Sequence, residues 1–362
     1  MGIAGLAWRV NFNLNQNRTT AINVEQLLMI IANTTRHQKW SRGVKRYYSI
    51  LRDSFRHHEI RMMDYSPQVP YKYQRIFELA YRGSRESIIW SPCLRGPLYG
   101  YNHVVTVHDC IDIQYIFKNR FRRFIKHATY QKTLDNAVKI IAISDTTRNQ
   151  ILDNYSVGAE KIVVIKSACV GIRIPTLESN GFTIDNLKIG GRPFILMVTN
   201  QLPHKNTLRA CQALCASLAK VDGISLMVIG SLTPEDYKIL EDHNFPFMVV
   251  DQISDTALIN LYKTCIFFIS PSLLEGHNLP ISEALSFGQR VLCSDIPVHR
   301  EFYDGFVSFF DPMNTDSIII AINNSITTSS SQACKIFSPE RTNLDVADEY
   351  VKLFNHLAKS VG

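Results

Sequence analysis

Residues 266–295 read IFFISPSLLEGHNLPISEALSFGQRVLCSD. A short apolar run (IFFIS, 266–270) leads into a polar loop, a helical pattern from Pro280 and a second apolar run (RVLCSD, 290–295). Short apolar runs alternating with helical patterns predict parallel strands covered on both faces. Proline suits the first helical turn, where its missing N–H costs nothing. The loop therefore ends on a helix N-terminus, whose free amides and positive dipole end attract anions. Gly276, His277, Asn278 and Leu279 lie in that loop, and their backbone amides suit a diphosphate. Glu275 in the loop and Glu283 in the first helical turn are placed to reach one bound ligand. Carboxylates accept hydrogen bonds from sugar and ribose hydroxyls.

The same alternation extends upstream. FILMVT (194–199), ISLMVIG (224–230) and FMVV (247–250) read as strands, with helices over about 206–219, from Pro234 and over about 254–263. This is a Rossmann-like domain. The first half repeats the pattern less cleanly. LLMIIANT (27–34), VVTVHD (104–109), VKIIAIS (138–144) and KIVVI (161–165) read as strands, with a helix from about Val44 to Arg56 and another capped by Ser144 or Asp145. Residues 171–192 hold Pro175, Gly181, Gly190 and Gly191 without periodicity and read as the interdomain linker. Residues 1–26 read either as a surface segment or as a misassigned start, and SITTSSSQ (325–332) as a loop. Residues 341–361 form an amphipathic helix with Leu344, Ala347, Val351, Phe354 and Leu357 on its apolar face.

Composition narrows the class. The chain has 362 residues, 46% hydrophobic and 20% charged, which fits a globular protein and not a disordered one. No apolar run approaches the roughly 20 residues of a membrane-spanning helix. The start lacks the basic leader of a signal peptide, and Leu6 breaks the myristoylation pattern. The 8 cysteines form no C-x-x-C pair and read as reduced thiols in a reducing compartment. Cys211 and Cys215 are one helical turn apart on an apolar face. Residues 1–170 carry 25 Lys+Arg and 12 Asp+Glu, a net of +13, so the remaining 14 and 20 give −6 over residues 171–362. Such a split suggests that the first half faces an anion: nucleic acid, a membrane surface or a phosphorylated substrate.

PSLLEGHNLPISEA (271–284) resembles the E-x7-E signature, P-S-x-x-E-G-F-G-L-P-x-x-E-A, of the group 1 retaining glycosyltransferases of the GT-B fold. His277 and Asn278 replace Phe and Gly of that pattern. MVTNQLPHKN (197–206) is similar to the family's V-G-T-x-x-P-R-K-N, with Lys205 on the lysine that holds the donor diphosphate and His204 in place of an arginine. SRGVKRYYSIL (41–51) resembles S-G-I-G-R-Y, and TVHDCID (106–112) resembles T-V-H-D-L-I-P, whose histidine faces the reacting sugar.

The resemblance implies an α/β GT-B fold, two Rossmann-like domains facing each other across a cleft. It implies an acceptor-binding domain over 27–178 after an extension (1–26), a nucleotide-sugar domain over 179–339, and a terminal helix (340–362) that returns to the first domain. It assigns catalysis to His108, Lys205 and Glu275. It assigns substrate binding to Gly43, Asp109, Asn200, Gly276, His277, Asn278, Leu279 and Glu283; no acidic metal cluster stands in the sequence, so no metal and no cofactor are expected. The donor diphosphate would leave with retention of configuration, Lys205 and the loop amides stabilising the charge. The motif variants look most like bacterial mannosyltransferases of surface polysaccharide (lipopolysaccharide, O-antigen) synthesis. That implies GDP-mannose as donor and a glycan or polyprenyl-diphosphate-linked acceptor. UDP- or dTDP-sugars, or a degenerate binding protein without turnover, are the alternatives.

KNRFRRFIKHATYQK (118–132) interleaves Lys118, Arg122, Arg123, Lys126 and Lys132 with Phe117, Phe121, Phe124 and Ile125. It reads as a basic amphipathic helix for an anionic membrane, against the alternative of a solvated helix with an ordinary core face. No nucleic-acid motif accompanies it. The expectation is a cytoplasmic protein, peripheral on the inner face of the cytoplasmic membrane.

Overall fold

The computed structural model describes residues 28–34, 40–58, 60–65, 87–116, 119–168, 192–328, 337 and 341–359. The proposed extension (1–26), nearly all of the linker (171–192) and residues 329–332 of the expected 325–332 loop lie outside them, while residues 325–327 of that loop end a helix instead. Two six-stranded sheets form, with parallel pairing throughout.

The first sheet holds β1 (Leu28–Asn33), β2 (Ile60–Tyr65), β3 (Ile88–Ser91), β4 (His103–Val107), β5 (Lys139–Ala142) and β6 (Ile162–Val164), in the order β2-β1-β3-β4-β5-β6. Helices α1 (Arg42–Phe55), α2 (Arg120–Asn136) and α3 (Asp145–Asn154) connect its strands. The second holds β7 (Phe194–Thr199), β8 (Ser225–Gly230), β9 (Phe247–Val250), β10 (Phe268–Ser270), β11 (Val291–Ser294) and β12 (Ser308–Phe310), in the order β12-β11-β10-β7-β8-β9. Its helices are α4 (Thr207–Ala216), α5 (Leu218–Val221), α6 (Pro234–Asp242), α7 (Asp255–Thr264), α8 (Leu279–Ser286), α9 (Pro297–Tyr303) and α10 (Thr315–Thr327). This is the two-domain GT-B architecture. Apolar side chains pack both faces of each sheet, which is why the central strands read as unbroken apolar runs.

Strand order fixes where a ligand can bind. The chain reverses its direction of travel across the first sheet between β1 and β3, and across the second between β7 and β10. Crevices beyond the carboxyl ends of strands open at such reversals. The Lys205 loop follows β7, the Glu275 loop follows β10, and α1 follows β1.

Several elements differ from the sequence reading. β2 (IRMMDY) mixes charge with apolar residues as an edge strand, while β3 (IIWS) and β12 (SFF) are too short to show a period. The helix expected over 206–219 breaks at Ser217, whose hydroxyl caps α5 at Ala219 N. α8 starts one residue earlier than Pro280, which puts Glu283 in its second turn. Ser144 caps α3 as expected, its Oγ accepting from Thr147 N at 2.9 Å.

The terminal helix α11 (Asn343–Lys359) packs against the core of the first sheet. Val346, Ala347, Tyr350 and Phe354 join the cluster around Trp90, and the Tyr350 hydroxyl bonds Tyr47 and Thr106 at 2.7 and 2.9 Å. Leu344, expected on the buried face, is exposed, and Val346 takes that role. Burying each large side chain contributes about 1.5–3 kcal/mol.

Candidate active site

A cavity of about 830 Å³ lies between the carboxyl edges of the two sheets. That is the size of a small-molecule site. Gly43, His108, Asp109, Asn200, Lys205, Glu275, Gly276, His277, Asn278 and Leu279 all line it. Glu283 does not.

Lys205 ends a short 3-10 turn (Pro203–Lys205), and Asn206 enters α4 with a left-handed backbone, φ 53°. That turn points the Lys205 ammonium at Glu275, Nζ to Oε1 2.6 Å. Burial alone raises the Glu275 carboxyl, but the ammonium, helped by His204 and Ser272, outweighs it and holds the group below its ordinary value. The cavity thus keeps an ionised carboxylate beside a cation. His204 is neutral: burial pushes it down to about 4, with Glu275 pulling it up and Lys205 pushing it further down. Asn200 accepts from Leu202 N at 3.0 Å, which shapes the loop after β7.

The loop after β10 is built by its own substitutions. Asn278 adopts φ 74°, the left-handed conformation that glycine would take in its place. Its side-chain amide donates to Ser270 Oγ at 2.8 Å and to His299 Nε2 at 2.9 Å. His299 Nδ1 donates to the Ser294 carbonyl at 2.8 Å, which fixes the tautomer. His277 is committed elsewhere: its Nδ1 meets Ser167 Oγ at 2.6 Å and its ring lies 4.2 Å from that of Phe302. Burial, reinforced by His299, pushes His277 down to about 3, so it brings no charge. Its ring serves the contact between the two halves more than the cavity. A Cβ on Gly276 would stand 1.9 Å from the His108 carbonyl oxygen, so that close approach requires glycine.

From the other half, His108 follows β4. Its Nε2 donates to the Pro92 carbonyl at 2.8 Å, leaving Nδ1 as an acceptor. Burial holds its pKa down to about 4, against the opposing bond to Pro92. Asp109 accepts from Ile111 N at 3.0 Å. Burial pushes its carboxyl up to about 6, the Ile111 bond and Lys205 opposing, Glu275 and Asp112 assisting. Gly43 sits in the first turn of α1, capped by Ser41, and a Cβ there would meet nothing within 4 Å. The protein's own packing does not require that glycine.

Glu283, expected to share one ligand with Glu275, stands apart from the cavity lining. Glu283 is buried beneath the cavity wall, its carboxylate held by Arg46 at 2.5 Å and by the Tyr262 hydroxyl at 3.0 Å. Arg46 lines the cavity and covers Glu283. Sequence reasoning missed Arg46, although it lies inside SRGVKRYYSIL. It also missed Glu301, whose carboxylate accepts from Asp145 N and Thr146 N at 2.8 and 2.9 Å and caps α3 from the opposite half. Lys166 joins that contact at 3.0 Å. Among the described residues no group of three or more His, Cys, Asp or Glu side chains is arranged to hold a metal.

Comparison with known proteins adds to this geometry. Residues 182–336 match the family model Glycosyl transferases group 1, and residues 84–168 match Glycosyltransferase Family 4. O-antigen chain mannosyltransferase B of Escherichia coli is 27% identical over 233 residues, 62% of this chain and 60% of that protein. O-antigen chain mannosyltransferase RfbU of Salmonella typhimurium is 26% identical over 240 residues, again 62% and 60%. The chain therefore matches less than two thirds of the length of these relatives. Sucrose-phosphate synthase from Thermosynechococcus elongatus has the same fold, with TM-score 0.66 and 12% identity over 92% of this chain and 100% of that one. Two consecutive family matches thus lie over two facing Rossmann-like domains of GT-B fold, and residues 182–336 are similar to the group 1 glycosyltransferase model.

Proposed function

We propose that the chain transfers a hexose, mannose from GDP-mannose, with retention of configuration to a polyprenyl-diphosphate-linked or polysaccharide acceptor. It would act in bacterial surface-glycan assembly at the inner face of the cytoplasmic membrane. The observation that carries this reading is the Lys205–Glu275 pair, set beside a helix N-terminus and facing His108 and Asp109 across the cavity. The names of the mannosyltransferase relatives support the choice of donor.

In this reading Lys205 and the first amides of α8 take the charge that builds on the departing diphosphate. Glu275 accepts hydroxyls of the transferred sugar, and Lys205 keeps it ionised for that task. Neutral His108 offers its Nδ1 lone pair to the sugar. The leaving phosphate takes the acceptor proton as the acceptor attacks from the same face. Arg46 covers Glu283 and must turn aside before Glu283 can meet a ribose. Positive charge from Lys205 and the amides stands where a cation otherwise would, so activity should survive EDTA. Loss on chelation, restored by Mg²⁺ or Mn²⁺, would refute that step.

The test pairs binding with turnover. Thermal shift against GDP-mannose, UDP-glucose and dTDP-glucose should single out GDP-mannose. Proton NMR of the product formed on a polyprenyl-diphosphate-linked glycan should show the donor's anomeric configuration. Preference for another nucleotide corrects the donor, inversion overturns the mechanism, and binding without turnover overturns the enzyme.

A further inference from the structure

The first two turns of α2 invert the usual arrangement of an amphipathic helix. A helix on a folded domain turns its apolar stripe inward. The second half of α2 does so, burying Tyr130, Thr133 and Leu134. At about 100° per residue, Phe121, Ile125 and Ala128 share a stripe on the opposite side, with Phe124 beside it. These side chains meet solvent: Phe121 is 70%, Phe124 69% and Ile125 45% exposed. Arg120 and Arg122 lie about 100° to either side of Phe121, and both are exposed. Lys132 continues the stripe, its ammonium 5.2 Å from the centre of the exposed Tyr99 ring.

Lys126, expected on the basic face, points the other way. It lies 3.6 Å from Asp112 and over the Tyr130 ring. Lys118 lies outside the described residues. The outward face is therefore an apolar strip edged by guanidinium groups. The opposite side of the same helix borders the cavity, because Tyr130 and Asp112 both line it and bond each other at 2.7 Å.

We propose that this face docks on an anionic lipid surface, with Phe121, Phe124 and Ile125 entering the acyl boundary and Arg120 and Arg122 meeting the headgroup phosphates. Aromatic and aliphatic side chains on one face with cations at its edges match an interface that is apolar inside and anionic outside. Tyr99, with a polar tip on an apolar ring, suits the headgroup level. The proposal deepens the lipid-linked acceptor reading and rests on it for its purpose: it brings the cavity to within about one helix diameter of the bilayer.

Co-sedimentation of the full chain with vesicles tests it. One set is phosphatidylcholine alone, the other equimolar phosphatidylcholine and phosphatidylglycerol. No donor or acceptor is added, so failure of the sugar-transfer reading leaves the result intact. The wild type should sediment with the anionic vesicles, weakly with the neutral ones, and less as salt rises. Phe121→Ser with Phe124→Ser, and separately Arg120→Glu with Arg122→Glu, should each lower the partition at least about tenfold at an unchanged unfolding midpoint. Should the serine pair unfold, the glutamate pair decides. Retained binding in a folded variant, or none by the wild type, overturns the proposal. So does a dimer in sedimentation equilibrium that the serine pair abolishes, which would assign the face to a second copy.

Discussion

The two halves meet at one cavity but furnish it differently. On the C-terminal side the groups hold one another: Lys205 grips Glu275, and Asn278 is tied to Ser270 and His299. The N-terminal side supplies His108 and Asp109 from a strand end, hydrogen-bonded to backbone, and Gly43 from a helix start. Two Lys/Arg–carboxylate ion pairs of the described residues join the two sheet domains. Both run from a basic residue of the first to an acidic residue of the second, Arg46 to Glu283 and Lys166 to Glu301. Part of the opposite charge of the two halves is therefore satisfied within the chain. A charge imbalance read from sequence does not by itself demand an external partner. Preorganisation belongs to the C-terminal side and openness to the other.

The sharpest way to break that contrast is Lys205→Ala. It removes the cation meant for the leaving diphosphate and leaves Glu275 buried without its partner. kcat should fall about 10²–10³-fold, as when one preorganised charge-stabilising donor is lost. His108→Gln, on the open side, should cost less. Steady-state kinetics of both variants decides, and equal losses would erase the division of labour.

Stability should divide the same way. Asn278→Ala strains a left-handed backbone, costing about 1–2 kcal/mol. It also removes two buried hydrogen bonds at about 1 kcal/mol each. A total near 3 kcal/mol is expected in urea unfolding, and Asn278→Gly should lose about 1 kcal/mol less because it tolerates the φ value. Gly43→Ala should instead be neutral or stabilising by up to about 1 kcal/mol, since its Cβ meets nothing within 4 Å. A destabilised Gly43→Ala would mean that the open side is packed after all.

The same contrast explains what was legible in the sequence. The second sheet was readable because β7, β8 and β10 lie inside it as continuous apolar runs with helices between. In the first sheet β2 is an edge strand of mixed polarity and β3 is four residues long, so neither announces itself. Ten of the eleven predicted site residues line one cavity because each follows a strand end or opens a helix, places that local pattern locates. That Glu283 is covered by an arginine is something no local pattern contains. Arg46, 237 residues earlier, reaches it only after the halves meet. The interdomain roles of Glu301 and His277 were hidden for the same reason. In α2 the basic residues were visible, but which of them face outward depends on the fold, and Lys126 does not.

A smaller effect concerns the contact between the halves. Glu301 places its charge at the N-terminus of α3 and within reach of Lys166. Glu301→Gln keeps the shape and loses the charge, at a cost of about 0.3–1 kcal/mol, more at low salt than at high. Small-angle scattering should show a larger radius of gyration in the variant without donor, because an interdomain contact is weakened. An unchanged radius and midpoint would make Glu301 a bystander.

The last comparison separates the two carboxylates of the cavity by the sign of their pH response. Asp109 is raised from 3.8 to about 6, chiefly by burial. Between those values the native chain holds a proton that the unfolded chain has released. Its contribution to stability therefore falls as pH rises through that window. Glu275 is lowered, because Lys205 and its neighbours overcome burial. Its contribution is present above the ordinary carboxylate range and is lost as pH falls through the lowered value. Urea midpoints of wild type and Asp109→Asn at about pH 4 and about pH 7 isolate the first group. Relative to wild type, the variant should gain more stability at the higher pH than at the lower. The Glu275 loss at still lower pH should remain in both, because the Asp109→Asn change leaves the Lys205–Glu275 pair in place. An equal gain at both pH values would show that the Asp109 carboxyl titrates no differently in the folded and unfolded chains, and the open side of the cavity would then hold its proton no more tightly than water does.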